Sequence, residues 1–326
     1  MFDVVIYDSV GLPISHKLYD QQALGGSEFQ QLLLAEKLAE SGYNVAYLSK
    51  NLVSHLQKYD KGNLYYYPLN TQLETKNLIL VRNSPYNNNI KFKKVFVWAH
   101  DTNYGNIYNE AHGDLFHKYN ANLICVSNWQ AKLFEPLGWK ISVIYNSIPD
   151  WVFNYPIPNK KKQFIYASAA WKGLHQTINV FNQLKQQPKF QDYKLIVLNP
   201  GYDGFDGKTL NNPDIVWQGA VKFNEVVKHI AESEALLYYN TMAETFGIVP
   251  VLASLLETTP LIYQTDKQWE SGGALPEIIG ESWVANNFND FIKLIFNPSR
   301  CSTYKDREFS QSHVFENYWQ YVLELI

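Results

Sequence analysis

Short apolar runs alternate with helix-patterned segments along nearly the whole chain, and this alternation limits the fold more than any other feature. In the first half the runs Val4–Tyr7, Asn44–Leu48, Leu78–Val81, Val95–Trp98, Leu123–Val126 and Ser142–Ile144 are strand candidates. Each is too short for an ordinary helix, and polar or turn residues bound it. A helix pattern covers about Ser27 to Ser41, with Phe29, Leu32, Leu33, Leu34 and Leu38 on one broad face and Gly42 as a stop. Ser127 is placed to cap a shorter helix through Trp129–Leu137, which Gly138 ends. Strands joined through helices pair in parallel and need cover on both faces, so an α/β fold is expected.

Residues 146–162 break this rhythm. Pro149, Pro156 and Pro158 precede the run Lys160-Lys161-Lys162, which makes this stretch the best linker candidate. The rhythm then resumes. Phe164–Ala167, Leu195–Leu198, Val216–Gln218, Ala235–Tyr239, Leu261–Tyr263 and Trp283–Val284 read as strands, with helices near Leu174–Lys185 and Asn224–Ser233. From about Phe309 the residues Val314, Tyr318, Tyr321, Val322 and Leu325 trace an amphipathic helix. A length of 326 residues fits about two domains. The expected division is 1–150, 151–305 and a terminal helix over 306–326.

Bulk properties narrow the function classes. A net charge of −3 and a pI near 6.2 argue against a dedicated nucleic-acid binder. Cys125 and Cys301 form neither a disulfide framework nor a metal spacing, which makes a reducing, cytoplasmic setting the default expectation. The start at Phe2-Asp3-Val4-Val5-Ile6-Tyr7 has no signal-peptide pattern, and no apolar stretch approaches the ~20 residues of a spanning helix. Lys91-Phe92-Lys93-Lys94 is a local cationic patch that suits an anionic membrane surface or phosphates; a solvated strand lead-in is its plainer reading. There is no Asp-x-Asp, His-Glu-x-x-His, Cys-x-x-Cys, Gly-x-x-x-x-Gly-Lys or Gly-x-Ser-x-Gly, and the eight His are dispersed, so no metal site is expected.

The residues that carry chemistry fall on loops after predicted strands. Ala243-Glu244-Thr245-Phe246-Gly247-Ile248-Val249-Pro250 follows one strand and precedes an apolar helix. Glu244 thus stands before a helix N-terminus, where free N–H groups favour an anion. Taken alone, a loop carboxylate is more often just solvated. Ala167-Ser168-Ala169-Ala170-Trp171-Lys172-Gly173-Leu174 follows the first strand of the second half, and Gly272-Gly273-Ala274-Leu275-Pro276-Glu277 follows the strand after the Glu244 helix. In the first half, Gly25-Gly26-Ser27-Glu28 opens the long helix, either as a flexible entry or as a bare backbone that approaches phosphate. It is not the Gly-x-Gly-x-x-Gly of dinucleotide enzymes. His100 closes Val97-Trp98-Ala99-His100-Asp101 at a strand end, where doubly wound sheets bind ligands, although a lone His is usually structural.

In order and spacing, the three elements of the second half resemble the donor site of retaining glycosyltransferases of family 4. They cover most of residues 163–280. Val126-Ser127 and Tyr145-Asn146-Ser147-Ile148-Pro149-Asp150 resemble weaker elements at the end of that family's first domain. The resemblance implies the GT-B architecture, two doubly wound Rossmann-like domains facing across a cleft. It implies an acceptor side in 1–150, a donor side in 151–305, and a last helix that returns to the first domain. Glu244 would contact donor-sugar hydroxyls, and the amides of Phe246, Gly247 and Ile248 would meet the diphosphate together with Lys172. His100 would lie near the sugar, and Gly25 and Gly26 near phosphate. Ser168, Gln218 and Gly219 complete the implied donor-binding set.

Two positions depart from that pattern. The family often has a second Glu eight residues after the first, on the donor ribose; this chain has Leu252 there. It also often has an Arg five residues before the diphosphate Lys; this chain has Ala167. Groups around Gln218-Gly219-Ala220 and Asn199-Pro200-Gly201-Tyr202 are candidate substitutes. The expected activity is metal-independent, retaining transfer of a sugar from a nucleoside-diphosphate sugar to a hydroxyl of a glycan, a lipid-linked acceptor or a protein. No cofactor is expected beyond that donor. A catalytically impaired sugar-nucleotide binder, a same-fold epimerase and a DNA-base glycosyltransferase remain as alternatives.

Overall fold

A computed structural model describes residues 1–14, 23–50, 57–58, 61–102, 106–207, 210, 212–264, 273–297 and 307–324. Gly272, Arg300, Cys301 and Leu325 lie outside the described residues. The chain divides into two compact units, the first built from 1–21, 25–149 and 307–326 and the second from 22–24 and 150–306. Both are α/β.

The first unit holds β1 (Phe2–Asp8), α1 (Gly26–Glu40), β2 (Val45–Ser49), β3 (Gln57–Lys58), β4 (Leu64–Pro68), β5 (Leu73–Val81), β6 (Ile90–Trp98), α2 (Ile107–Tyr119), β7 (Asn122–Cys125), α3 (Asn128–Phe134) and β8 (Lys140–Val143). The strands form an eight-stranded sheet in the order β3-β4-β2-β1-β5-β6-β7-β8. Every pairing is parallel except β3 with β4 at the edge. Val4, Val5 and Ile6 of β1 are fully buried, as a strand covered on both faces requires. From β1 the chain moves to β2 on one side and later to β5 on the other. The sheet therefore has its topological switch point outside the C-terminal ends of β1 and β5, where such sheets hold ligands.

β4 and α2 are among the elements that escape sequence reasoning. β4 is Leu64-Tyr65-Tyr66-Tyr67-Pro68, a strand next to the sheet edge whose Tyr65 and Tyr67 are half-buried, so its apolar signal is weak. α2 contains Gly113 and buries His112 among Tyr108, Leu115 and Phe116, which breaks the apolar stripe. The short helix after Ser127 forms as expected, with the Ser127 hydroxyl accepting from Gln130 N at 3.0 Å. The terminal segment packs on the first unit as an unbroken helical run, in which α9 (Gln311–Val314) continues through a π-helical turn over Phe315–Trp319 into a last turn over Gln320–Val322. Gln311 Nε2 donates to Leu33 O at 2.9 Å, Asn77 Nδ2 to Leu323 O at 3.1 Å, and the Trp98 and Trp319 rings meet edge to face at 4.8 Å.

The second unit holds β9 (Lys161–Ala167), α4 (Leu174–Leu184), β10 (Lys194–Leu198), β11 (Ile215–Gly219), α5 (Phe223–Glu232), β12 (Ser233–Asn240), α6 (Ile248–Leu255), β13 (Thr259–Gln264), α7 (Leu275–Ile279), β14 (Val284–Ala285) and α8 (Phe288–Phe296). Its six strands are ordered β11-β10-β9-β12-β13-β14, and all pair in parallel. Here the switch point lies outside β9 and β12. Lys160 leads into β9 and satisfies the ends of two helices: its ammonium donates to Ala231 O (2.8 Å), Leu256 O (2.7 Å) and Thr258 Oγ1 (2.9 Å).

Candidate active site

In the second unit the loops after β9 and β12 bring Lys172 and Glu244 together at the switch point. Lys172 Nζ stands 2.9 Å from Glu244 Oε1, with the two side chains 23% and 15% exposed. The same oxygen accepts the Tyr238 hydroxyl at 2.7 Å, and Ser168 Oγ lies 3.4 Å from that hydroxyl. Tyr238 sits on β12 and is buried. Burial first, and then the Glu244 charge, push its phenol well above the ordinary range, so it remains a donor.

Glycines fix the loops that carry the pair. Gly173 has φ +112, and a Cβ there would stand 1.9 Å from Tyr239 O, so only glycine lets the Lys172 loop cross the end of β12. Gly273 has φ +70, and a Cβ there would meet the Glu244 carbonyl oxygen at 2.6 Å. Next to it, Ala274 N donates to Glu244 O at 2.8 Å. The described part of the Gly-Ala-Leu-Pro-Glu element thus grips the Glu244 backbone. Phe246 is buried, and Gly247 precedes the first residue of α6, Ile248. The N–H groups of Ile248 and Val249 are among those a helix leaves without an internal partner, and Pro250 has none to lose.

The loop after β10 is tied to the end of β11 and to the Lys172 loop. Asn199 N donates to Gly219 O at 3.0 Å. Asp203 Oδ2 accepts from Asn199 Nδ2 at 3.0 Å and from Ala170 N at 2.5 Å. Those bonds outweigh the desolvation of Asp203 and hold its carboxyl below the ordinary range. Gln218 is exposed, while Gly219 takes a positive φ of 67° beside Trp217. Leu252 and Ala167 are buried and offer no polar group.

In the first unit, Asp8 ends β1 and Arg82 follows β5, on either side of that unit's switch point. Arg82 Nη2 lies 2.6 Å from Glu28 Oε1 and 3.4 Å from Asp8 Oδ2. Glu28 belongs to the Gly25-Gly26-Ser27-Glu28 sequence and also accepts from Leu12 N at 3.2 Å. Gly25 precedes α1 with φ −68, a conformation open to any residue, so backbone freedom does not explain the glycine there. Gln31 Nε2 donates to Asp8 Oδ2 at 2.9 Å, and the Tyr47 hydroxyl donates to Gln31 Oε1. His100 follows β6 with its ring 4.6 Å from that of Trp98. The Tyr108 hydroxyl accepts from both His100 N and Asp101 N at 3.3 Å. Burial, and then the Arg82 charge, push His100 down to about 3, so it acts as a neutral imidazole.

Sequence reasoning missed Tyr238, Arg82, Asp8 and Asp203 as members of these clusters. Arg82 had a signal: it is one of three arginines in a lysine-dominated chain and directly follows an apolar strand. Tyr238 had none, because in sequence it is one more aromatic in an apolar run. Among the described residues no group of three or more His, Cys, Asp or Glu is placed to hold a metal ion, and no helix is long and apolar enough to cross a membrane.

No family model matches the chain, and no curated protein matches it in sequence. Solved structures do match its fold. HepE from Anabaena, in complex with UDP-glucose, is 13% identical with a TM-score of 0.67, over 99% of this chain and 100% of that one. A glycosyltransferase from Rickettsia africae is 15% identical with a TM-score of 0.66, over 99% and 98%. The trehalose 6-phosphate synthase from Burkholderia multivorans is 10% identical with a TM-score of 0.64, over 100% and 99%. The chain therefore has the α/β GT-B fold of glycosyltransferases.

Proposed function

We propose that this chain is a retaining glycosyltransferase of the family 4 type, which moves a sugar from a nucleoside-diphosphate sugar to an acceptor hydroxyl. The observation that carries the reading is the Lys172–Glu244 pair at the switch point of the second sheet, beside the head of α6. A cation, a carboxylate and the amides at the head of a helix, all at one sheet edge, suit a diphosphate linked to a polyhydroxyl group. HepE, of the same fold and nearly the same length, is solved with UDP-glucose and with UDP, which favours a uridine nucleotide.

In this reading, negative charge grows on the departing diphosphate as the glycosidic bond breaks. Lys172 and the amides of Phe246, Gly247 and Ile248 stabilise it, in positions fixed before the reaction begins. Glu244 orients the sugar through its hydroxyls. The leaving phosphate takes the acceptor proton, so no side chain is assigned as base. Ser168, Gln218 and Gly219 contribute to donor binding, and His100, Gly25 and Gly26 keep the sugar and phosphate roles that the resemblance implies. The reaction proceeds without a metal, because Lys172 and the helix amides supply the positive charge. The acceptor is a glycan, a lipid-linked molecule or a protein. Lys91 and Lys93, exposed on β6, suit contact with an anionic membrane on its cytoplasmic side.

Calorimetric titration with UDP, GDP and ADP, followed by UDP- or GDP-release assays on the matching sugar nucleotides, tests the reading. Binding with turnover that survives a chelator supports it. Binding without turnover supports the catalytically impaired alternative, to which Leu252 and Ala167 point. No binding rejects both.

A further inference from the structure

Glu244 Oε1 receives two donors of different character. Lys172 Nζ, at 2.9 Å, ends a flexible four-carbon stem and is partly exposed. The Tyr238 hydroxyl, at 2.7 Å, ends a rigid ring that is 3% exposed and packs edge to face on Tyr166 at 5.7 Å. An ionised carboxylate only accepts, so the single Tyr238 proton points at Glu244 and Ser168 Oγ donates to Tyr238 in turn. The Glu244 carbonyl is separately held by Ala274 N.

On the transferase reading above, an arriving diphosphate competes for Lys172. Glu244 then loses one of its two donors just when its orientation matters. We propose that Tyr238 is a positioning residue: it holds the Glu244 carboxylate in place while Lys172 turns to the diphosphate. Tyr238 does not touch the donor; it acts through Glu244. Its place on a buried strand supports this role, because a strand side chain between two neighbouring strands cannot follow a ligand outward.

The test is Tyr238→Phe, which removes one oxygen and keeps the packing ring. Nucleotide release is followed for wild type, Tyr238→Phe, Glu244→Gln and the double variant, with UDP-glucose, UDP-N-acetylglucosamine and GDP-mannose as donors and thermal melting as the folding control. The expected result is a kcat about tenfold lower in Tyr238→Phe, comparable to one lost aligned hydrogen bond. Affinity for the bare nucleoside diphosphate stays within about twofold, and the double variant is no slower than Glu244→Gln alone. A merely structural role predicts otherwise: losses that multiply, with nucleotide affinity falling in parallel. Either that pattern or wild-type kcat in Tyr238→Phe overturns the positioning role and leaves the transferase reading intact. A wild-type chain that neither binds nor turns over any of these donors overturns the transferase reading, and the inference with it.

Discussion

Arg82 Nη2 lies 2.6 Å from Glu28 Oε1 and ties the first turn of α1 to the end of β5. The same guanidinium reaches Asp8 at the end of β1, so one largely buried cation answers two buried carboxylates. Removing it leaves both acids without their counter-charge. Arg82→Ala is expected to lose roughly 3–5 kcal/mol of stability in urea unfolding, the usual result of breaking a buried pair from one side. Glu28→Gln is expected to lose less, since Arg82 keeps Asp8. A loss under about 1 kcal/mol in Arg82→Ala would show that the cluster is solvated in solution.

His100 gives the protein a pH dependence of definite sign. Its folded value is pushed down to about 3, whereas an unfolded histidine titrates near 6.5. Between those values the unfolded chain binds the extra proton. Stability from the neutral imidazole is therefore fully present above pH 6.5 and drains away as pH falls toward 3. Urea midpoints from pH 7 to 4 are expected to fall more steeply for wild type than for His100→Gln. Parallel slopes would contradict this. On the functional side, His100→Ala is expected to impair transfer while leaving affinity for the bare nucleotide nearly intact.

Lys172 and Glu244 separate the two halves of donor recognition. Lys172→Ala is expected to reduce transfer on the order of a hundredfold, as when one preorganised charge-stabilising group is lost, and to weaken nucleoside diphosphate binding as well. Glu244→Gln is expected to cripple transfer but spare binding of the bare nucleotide, because its partner is the sugar. Calorimetry and nucleotide-release rates on the two variants distinguish these outcomes. Equal loss of nucleotide affinity in both would place Glu244 on the phosphates instead.

Gly173 is where a methyl group does the most damage. Its φ of +112° already strains any side chain, and the new Cβ would run into Tyr239 O. Gly173→Ala is expected to cost clearly more than the ~1–2 kcal/mol that a left-handed conformation alone costs a non-glycine residue. It should also weaken nucleotide binding, because the loop that must move carries Lys172. A fully stable variant with wild-type UDP affinity would show that the loop crosses β12 differently.

The sequence by itself determined the layered α/β plan and the loops on which the chemistry falls. Strand-length apolar runs can be buried only in a sheet, and the intervening helices make that sheet parallel, so Lys172, Glu244 and His100 had to lie at strand ends. β4 and α2 stayed hidden because one is half-exposed near a sheet edge and the other interrupts its stripe with His112 and Gly113. Tertiary structure alone decided the partners. Arg82 finds Glu28, and Lys172 and Tyr238 converge on one oxygen of Glu244, because strand order sets neighbours that sequence spacing does not. It also decided why Gly273 is glycine. No local turn rule shows that its Cβ would strike the Glu244 carbonyl, because that approach exists only once Gly273 and Ala274 lie against the loop after β12. Local periodicity follows from each segment's own backbone geometry, whereas charge pairing and close backbone approach depend on which segments the folded sheet sets side by side.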